Sequence, residues 1–292
     1  MDAKTFKSGL RKQPKDKRDW KLESLIPMGA IQLPKEYTPD RTDVPVFDQG
    51  DSSECCACAY STIRFIQEQK QSGLTEPFAP SFTYANRAKG EEYEGMLLRN
   101  CCKQGRYGSV LWREMPFFGS LSKCQKYFNL HKTDLLNKAE NYKIDSFYVA
   151  KTDEQIKTAV YLTGAVLIGV ECQDSIFTPD KDNIVKYIPN GKSYGGHALT
   201  ITGFKYINGV EHWIIRNSWG ESYGDKGNFY ISFDDLRKIL MDDAYVLVDS
   251  DTRYIFEEYK QKFYGTKSSN KTIKEMIVSW LHKLNLLRKL EL

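Results

Sequence analysis

One stretch, residues 48–65, constrains the fold of this chain more than any other. Its first part is polar and turn-prone, with Gly50, Asp51 and two serines in succession. From Cys55 onward, small, apolar and aromatic residues recur at spacings typical of a buried helix. The stretch therefore predicts a polar loop that leads into a buried helix, with Cys55 in the first helical turn.

A cysteine in this position has the surroundings of a nucleophile. Free backbone N–H groups and the positive end of the helix dipole favour a thiolate over a thiol. Six residues upstream, Gln49 offers a side-chain amide that can reach the same place. We therefore interpret Cys55 as a nucleophile and Gln49 as part of an oxyanion hole.

A cysteine nucleophile needs a base and a group that orients the base. His197 follows Gly195 and Gly196 and begins an apolar strand, which suits a base that faces a cleft. The next strand ends at Asn217, whose amide oxygen can accept the imidazole N–H, and Trp219 can shield that bond. The other histidines are less suited. His131 is expected in a polar turn, His282 lies in the tail, and His212 precedes a strand tryptophan.

These motifs resemble those of the papain-like cysteine peptidases. Gln49-Gly50, four further residues and Cys55 follow the family pattern, and 142 positions separate Cys55 from His197, within the family's range of about 130–150. Asn217-Ser218-Trp219-Gly220 looks like the family's asparagine motif. The resemblance covers about residues 34–250. It is closest to the bacterial, phage and large-DNA-virus branch, whose members carry a short N-terminal arm.

The predicted fold class is α+β, because helical patterns precede strand patterns. The resemblance implies the papain-like two-subdomain fold, with a helical half, a β-barrel-like half and the active site in the cleft between them. We expect an irregular N-terminal arm over residues 1–43 and a peptidase domain over 44–264. Its helical half covers about 44–140 and its β-rich half about 141–250. Residues 265–292 form an amphipathic helix, whose stretch 273–290 is expected to contact the body, a partner or a membrane surface.

The resemblance also implies an activity. Cys55 attacks a peptide carbonyl as a thiolate paired with His197, Asn217 orients His197, and Gln49 helps to hold the oxyanion. Water then hydrolyses the thioester, and no cofactor or metal is expected. Family positions further suggest substrate-binding residues, with an apolar pocket on the acyl side of the scissile bond: Gly95, Met96, Val166, Ala198 and Trp219.

Two departures from the family pattern concern the residues beside the nucleophile. Cys56 replaces the large aromatic residue usual after the nucleophile, which changes the floor of the cleft. Glu54 places a carboxylate beside Cys55, and a carboxylate that pointed inward would raise the thiol pKa.

Composition limits partners and compartment. The net charge is +4, but the basic residues are concentrated at both ends, so nucleic-acid binding by the mildly acidic body is not expected. The expected partner is a protein or peptide substrate. No segment approaches the roughly 18–20 apolar residues of a membrane span. Seven cysteines and no recognisable secretory signal suggest a cytoplasmic protein, or the host cytoplasm or virion if a virus encodes it.

Three alternatives remain open at this point. Cys55 and Cys58 form a C-x-x-C spacing, which also occurs in redox pairs and zinc sites. A second alternative is a catalytically silent papain-like scaffold that binds peptides or partners. A third is that the same site transfers the acyl group to an amine rather than to water.

Overall fold

The computed structural model describes residues 2–27, 29, 31–87 and 93–264, so the predicted amphipathic helix at 265–292 lies outside the described residues. Among the described residues, no helix has the length and apolarity to cross a membrane. The helices in chain order are α1 (Cys55–Ser72), α2 (Pro80–Ala85), α3 (Leu98–Gln104), α4 (Leu121–Ala139), α5 (Asp153–Thr163), α6 (Asp174–Phe177), α7 (Phe233–Ile239) and α8 (Ser250–Tyr264).

Seven strands form one sheet in the order β1-β7-β2-β4-β5-β6-β3. Neighbouring strands run antiparallel except β3 and β6, which are parallel. The end strands β1 and β3 do not pair with each other, so the barrel-like half is an open sheet. The strands are β1 (Ser146–Ala150), β2 (Val166–Glu171), β3 (Ile184–Val185), β4 (Gly196–Ile207), β5 (Val210–Arg216), β6 (Asn228–Ser232) and β7 (Ala244–Val248).

The buried side chains form two hydrophobic clusters, which confirms the predicted α+β arrangement of two halves. One cluster is built mainly from α1 to α4 and one face of the central strands, and the other from α5 and the opposite face of the sheet. Helix α1 packs against β4 where the two clusters meet, and the Thr200 hydroxyl donates to the Ala59 carbonyl at 3.2 Å. The first residue of α1 therefore lies beside the first residues of β4.

The bounds of α1 and α5 follow from local chemistry. Helix α1 ends at Ser72 and is followed by Gly73, whose φ of +74° is costly for residues with a side chain. Thr152 caps α5 by accepting from the Gln155 N–H, and the residue after α5, Gly164, has φ +91°. A Cβ at Gly164 would lie 2.6 Å from Ile66 of α1, so glycine there also permits close packing of the two halves.

His131 was expected in a polar turn, but it lies within α4, at a kink where its φ and ψ are −112° and 15°. Only five of the 19 residues of α4 are buried, so the helix has a narrow apolar stripe that the surrounding polar residues obscure in the sequence.

A buried charge network joins α1 to the end of β7. The Arg64 side chain is completely buried and donates to Asp249 Oδ2 at 2.7 Å and to Glu68 Oε1 at 2.6 Å. Gln67 donates to the Leu247 carbonyl at 2.9 Å. Burial raises the pKa of the Asp249 carboxyl, but the Arg64 guanidinium more than offsets this and holds that pKa below its ordinary value.

Replacement of Asp249 by alanine is expected to lower the free energy of unfolding by about 3 kcal/mol, because the buried Arg64 guanidinium loses the more buried of its two carboxylate partners and keeps only Glu68. Urea denaturation at pH 7 measures the change. Because the folded pKa is depressed, the deficit should shrink as the pH falls through it. Glu258→Ala, which breaks an exposed pair with Lys262, is the matched control and should cost less than about 1 kcal/mol. Equal effects of the two substitutions would contradict the role of the buried pair.

Candidate active site

Cys55 is the first residue of α1 and is fully buried. Its Sγ accepts a hydrogen bond from the Ala198 N–H of β4 at 3.4 Å. Burial alone would raise the pKa of the thiol. Cys56, His197 and the Ala198 N–H outweigh this effect, so the pKa of Cys55 lies well below its ordinary value. The structure therefore favours a thiolate at Cys55.

His197, also fully buried, is oriented by Asn217. His197 Nε2 and Asn217 Oδ1 are 2.8 Å apart, and the same oxygen accepts the Ser218 N–H at 2.8 Å. Because Asn217 Oδ1 acts as the acceptor, Nε2 must carry a proton. The other ring nitrogen, Nδ1, has no hydrogen-bond partner, and the imidazole lowers the pKa of the Cys55 thiol. These contacts give the Cys–His–Asn order that the sequence predicts.

Trp219 covers the imidazole. Its ring stacks on His197 with 4.9 Å between centroids and 24° between planes, and only 2% of the residue is exposed. The indole thereby keeps water away from the bond between His197 and Asn217, which strengthens that bond.

Gln49 is held by a residue that the sequence analysis missed. Its Nε2 donates to the Ser52 carbonyl at 2.8 Å, and its Oε1 accepts the Ser218 hydroxyl at 2.6 Å. The Gln49 N–H also bonds to the Ser218 carbonyl at 2.9 Å. Ser218 therefore fixes the glutamine amide, while its neighbour Asn217 fixes the imidazole. Its place inside the asparagine motif was the available signal.

Glu54 was expected to raise the pKa of the Cys55 thiol if its carboxylate pointed inward, but its contacts lie elsewhere. Its carboxyl group reaches into the helical half, where it accepts from Ser81 of α2 at 3.4 Å and from Cys124 of α4 at 3.6 Å. Burial raises the pKa of Glu54 to about 7, with a smaller increase from Glu94. The contacts with Ser81 and Cys124, and Arg87 at longer range, lower that pKa only in part.

Two of the predicted substrate-binding residues, Gly95 and Met96, line one side of the cleft. Gly95 has φ +82°, and a Cβ there would lie 2.8 Å from the Gly9 carbonyl oxygen. The Met96 carbonyl accepts from the Cys56 thiol at 3.6 Å, which places Cys56 on the cleft floor.

Val166 was predicted to bind substrate, but it does not line the cleft. It is buried in the sheet-side cluster and pairs with Ile201, away from the cleft. Successive strand residues face opposite sides of a sheet, so Gly169, three positions along β2, faces the cleft instead. A Cβ at Gly169 would lie 2.4 Å from Leu10 Cδ2. Ala198, the partner of Gly169 in β4, is placed beside Cys55 as expected.

The N-terminal arm passes directly over Cys55. A Cβ on Gly9 would lie 2.6 Å from Cys55 Sγ and 2.6 Å from the Ser53 carbonyl oxygen, so only glycine fits there. The Gly9 carbonyl accepts the Met96 N–H at 2.8 Å, and the Leu10 N–H donates to the Gly196 carbonyl at 3.2 Å. The arm is thus hydrogen-bonded to both walls of the cleft.

The next part of the arm is fixed outside the cleft. Arg99 of α3 makes a two-pronged ion pair with Asp19, with distances of 2.9 and 2.6 Å. Gln13 donates to the Tyr245 hydroxyl at 2.5 Å, and its Oε1 accepts the Arg99 N–H at 3.0 Å. Leu22 is buried in the sheet-side cluster. The arm therefore binds to both halves of the molecule.

The C-x-x-C spacing has a simpler explanation than a metal or redox site. Cys58 is fully buried one turn into α1, and burial raises the pKa of its thiol well above the ordinary value. Within the part of the chain that the structure describes, no group of three or more His, Cys, Asp or Glu side chains is arranged to hold a metal ion. Cys58 is a core residue beneath the nucleophile.

Residues 88–248, more than half of the chain, match the Papain family cysteine protease. The chain belongs to the papain family. The matched region includes His197 and Asn217 but begins after Gln49 and Cys55, which join the site through the geometry described above.

Curated relatives are similar over part of their length. Peptidase 1 of Euroglyphus maynei is 30% identical over 221 residues, which cover 70% of this chain and 63% of that protein. Cathepsin B-like cysteine proteinase 3 of Caenorhabditis elegans is 36% identical over 110 residues, 37% of this chain and 28% of that protein. The aligned part thus spans less than two thirds of these relatives.

Among solved structures, xylellain, a cysteine protease from Xylella fastidiosa, is similar with a TM-score of 0.67 and 22% identity. The similarity covers 83% of this chain and 96% of that one. Procathepsin L 3 of Tenebrio molitor gives a TM-score of 0.60 at 15% identity, covering 76% of this chain and 72% of that one. At these identities the similarity supports the papain-like fold alone.

Glu54→Gln should remove a pH-dependent penalty on folding. The pKa of Glu54 is about 7 in the folded chain, against an ordinary 4.5. Between these values the unfolded chain releases a proton that the folded chain retains, so stability falls as the pH rises. Relative to the variant, the parent should lose up to about 3 kcal/mol between pH 4.5 and 7.5. Urea titrations across this range measure the difference, and Glu258→Gln is the exposed control. Parallel pH profiles of parent and Glu54→Gln would contradict the buried carboxyl's role.

Proposed function

We propose that this chain is a cysteine peptidase that hydrolyses peptide bonds through a thioester. The observation that carries the proposal is the buried arrangement of Cys55, His197 and Asn217, in which the thiol pKa is depressed and the imidazole is held at 2.8 Å by the amide oxygen. Family membership supports the same chemistry.

In the first step, Cys55 Sγ forms a bond to the scissile carbonyl carbon and the carbonyl oxygen becomes an oxyanion. The Cys55 backbone N–H and the Gln49 amide stabilise this oxyanion, and Ser218 holds the amide. As the C–N bond breaks, His197 transfers its Nδ1 proton to the leaving amine. A water molecule, deprotonated by His197, then attacks the thioester, and breaking of the C–S bond releases the carboxylic acid and restores the thiolate–imidazolium pair.

The alternatives differ in what happens to Cys55 and to the acyl group. A silent scaffold would leave Cys55 unreactive in the folded chain, and nothing in the geometry favours this. Acyl transfer uses the same first step but delivers the acyl group to an amine. Product analysis with an added amine separates transfer from hydrolysis, because only transfer forms a new amide.

We propose that the arm inhibits this activity by closing the cleft. Substrate places its acyl side along Gly95 and Met96 and its leaving group beside His197. The arm runs the opposite way, because Phe6 contacts Trp219 and Leu10 pairs with Met96. The carbonyl of Gly9, the arm residue that packs on Cys55, accepts the Met96 N–H. A reversed chain of this kind occupies the cleft without offering a carbonyl to the thiolate. We also propose that the chain belongs to the bacterial, phage and large-DNA-virus branch of the family, because an N-terminal arm is bound across the cleft and to Arg99.

The arm also supports an apolar preference on the acyl side. Leu10 is 3% exposed and fills the space between Gly169 and Leu98, next to Met96. We propose that substrates place an apolar side chain in this pocket. Arm residues and substrate then compete for the same surface.

We also propose a reducing compartment such as the cytoplasm, since the seven cysteines, all buried and all among the described residues, form no disulfide. We expect a stable fold and full thiol titration after purification under mildly oxidising conditions, with no disulfide formed on storage. A disulfide found in protein taken directly from its native source would contradict it.

Cys55 is expected to react with a peptidyl epoxide or fluoromethylketone, while the Cys55→Ala variant takes up no label and loses at least about a thousandfold in kcat/KM. Intact mass after incubation gives the stoichiometry, and peptide mapping gives the site. Cys102→Ala removes a buried thiol of α3 and is the matched control, which should still label. A folded parent that stays unlabelled even when its arm is dislodged would argue for the silent scaffold.

Gly9→Leu should raise kcat/KM towards small peptide substrates by about tenfold or more. The new side chain cannot fit against Cys55 Sγ and the Ser53 carbonyl, so the arm leaves the cleft. Fluorogenic assays on the full-length chain measure the effect. Lys7→Leu adds a similar side chain at an exposed arm position and should leave activity unchanged. Equal activity of both variants and the parent would show that the arm does not limit access.

A further inference from the structure

An aromatic pocket lies on the leaving-group side of the candidate site. Phe177, the last residue of α6, stacks on Trp219 with 5.2 Å between centroids and 9° between planes. Tyr194 meets the edge of Phe177 at 5.1 Å. The described mechanism uses Trp219 to cover the imidazole, but it gives no role to Phe177 or Tyr194.

The pocket is held by its own contacts. The Tyr194 hydroxyl donates to Asp174 Oδ1 at 2.6 Å, and the Tyr194 N–H donates to the Cys172 carbonyl at 2.9 Å. Tyr194 is thereby tied to the first residue of α6 and to the segment that leads into it. Trp219 is held from behind by the edge of Tyr223 at 5.1 Å. Because these side chains are already held in place, binding of another side chain against them costs little conformational entropy.

In this structure the side chain of Phe6, from the arm, occupies the pocket. Its ring lies 5.3 Å from Phe177, 5.6 Å from His197 and 5.8 Å from Trp219. All three contacts are edge-to-face, with interplanar angles of 73°, 86° and 71°. This is a preferred geometry of aromatic pairs. The pocket therefore has the size and shape to receive one aromatic side chain beside the catalytic imidazole.

We propose that Phe177, with Trp219 and Tyr194, forms a specificity pocket for an aromatic side chain on the leaving-group side of the scissile bond. The inference rests on the proposed peptidase activity and adds a substrate class to it. Because His197 protonates the leaving amine, residues that follow the scissile bond must pass the ring of His197, where the pocket opens. The arm holds the pocket closed with Phe6, so substrate and arm compete for it.

The test uses the full-length Gly9→Leu chain, whose cleft is open. Internally quenched peptides share one apolar acyl side and carry Phe, Leu, Ala or Asp at each of the first three leaving-group positions. At one position, kcat/KM for Phe should exceed that for Ala by about tenfold, from burial of the ring and its edge contacts. Adding Phe177→Ala should reduce this ratio to about one to threefold, while the rate for Ala changes little. Tyr254→Ala, which removes a 40% exposed tyrosine of α8, should leave the ratio intact.

Two further measurements keep the outcomes distinct. Phe177→Leu retains apolar bulk and should lose most of the preference for Phe over Leu, which guards against misfolding of the alanine variant. Calorimetric binding of product-like peptides that begin with Phe or Ala gives the same comparison without turnover. Loss of cleavage and of Cys55 labelling, with the Phe preference kept in binding, would defeat the peptidase proposal and leave the pocket standing. A Phe-to-Ala ratio that Phe177→Ala does not change, in cleavage and in binding, would overturn the pocket.

Discussion

A single ionised thiol in a buried place is the constraint on which this site depends. Removing water from a thiolate costs free energy, and burial alone would keep Cys55 protonated. The charge is maintained because the Cys56 thiol, the His197 imidazole and the Ala198 N–H face it at the start of a helix. The imidazole and the N–H come from β4, whereas Cys55 and Cys56 come from α1. The reactive species therefore exists only while the two halves of the molecule stay packed together.

The contacts between the halves serve that requirement. Arg64, two turns or more along α1 from the nucleophile, is tied to the end of β7 through Asp249. Gly164 lets α5 approach α1, and Thr200 joins β4 to α1. Within the site, Ser218 and Asn217 are neighbours that fix the oxyanion donor and the base respectively. A small shift of the sheet against α1 would disturb the thiolate, its base and its oxyanion donor together.

Residues that stand in short motifs were predictable from the sequence, whereas contacts between residues far apart in the chain were not. Cys55, His197 and Asn217 were predictable because each stands in a short motif with its own chemistry. Val166 was misassigned because a family position was transferred without its strand face, and alternation gives the place to Gly169. The contact of Gly9 with Cys55 spans 46 residues of sequence with no periodic signal. It depends on glycine's lack of a side chain, which a sequence pattern shows but cannot connect to a partner.

Under the proposed function, the arm and the substrate are alternative occupants of one surface, and the arm has the advantage of being tethered. Asp19, paired with Arg99, holds the arm beside the cleft even when residues 6–11 lift away. Tethering gives those residues an effective concentration in the millimolar range, so weak individual contacts suffice to exclude a dilute peptide. Phe6 and Leu10 lie on opposite sides of Cys55 and fill the two side-chain pockets there. A good substrate must therefore match both pockets in the reverse chain direction, which links the selectivity of the site to the means of its closure.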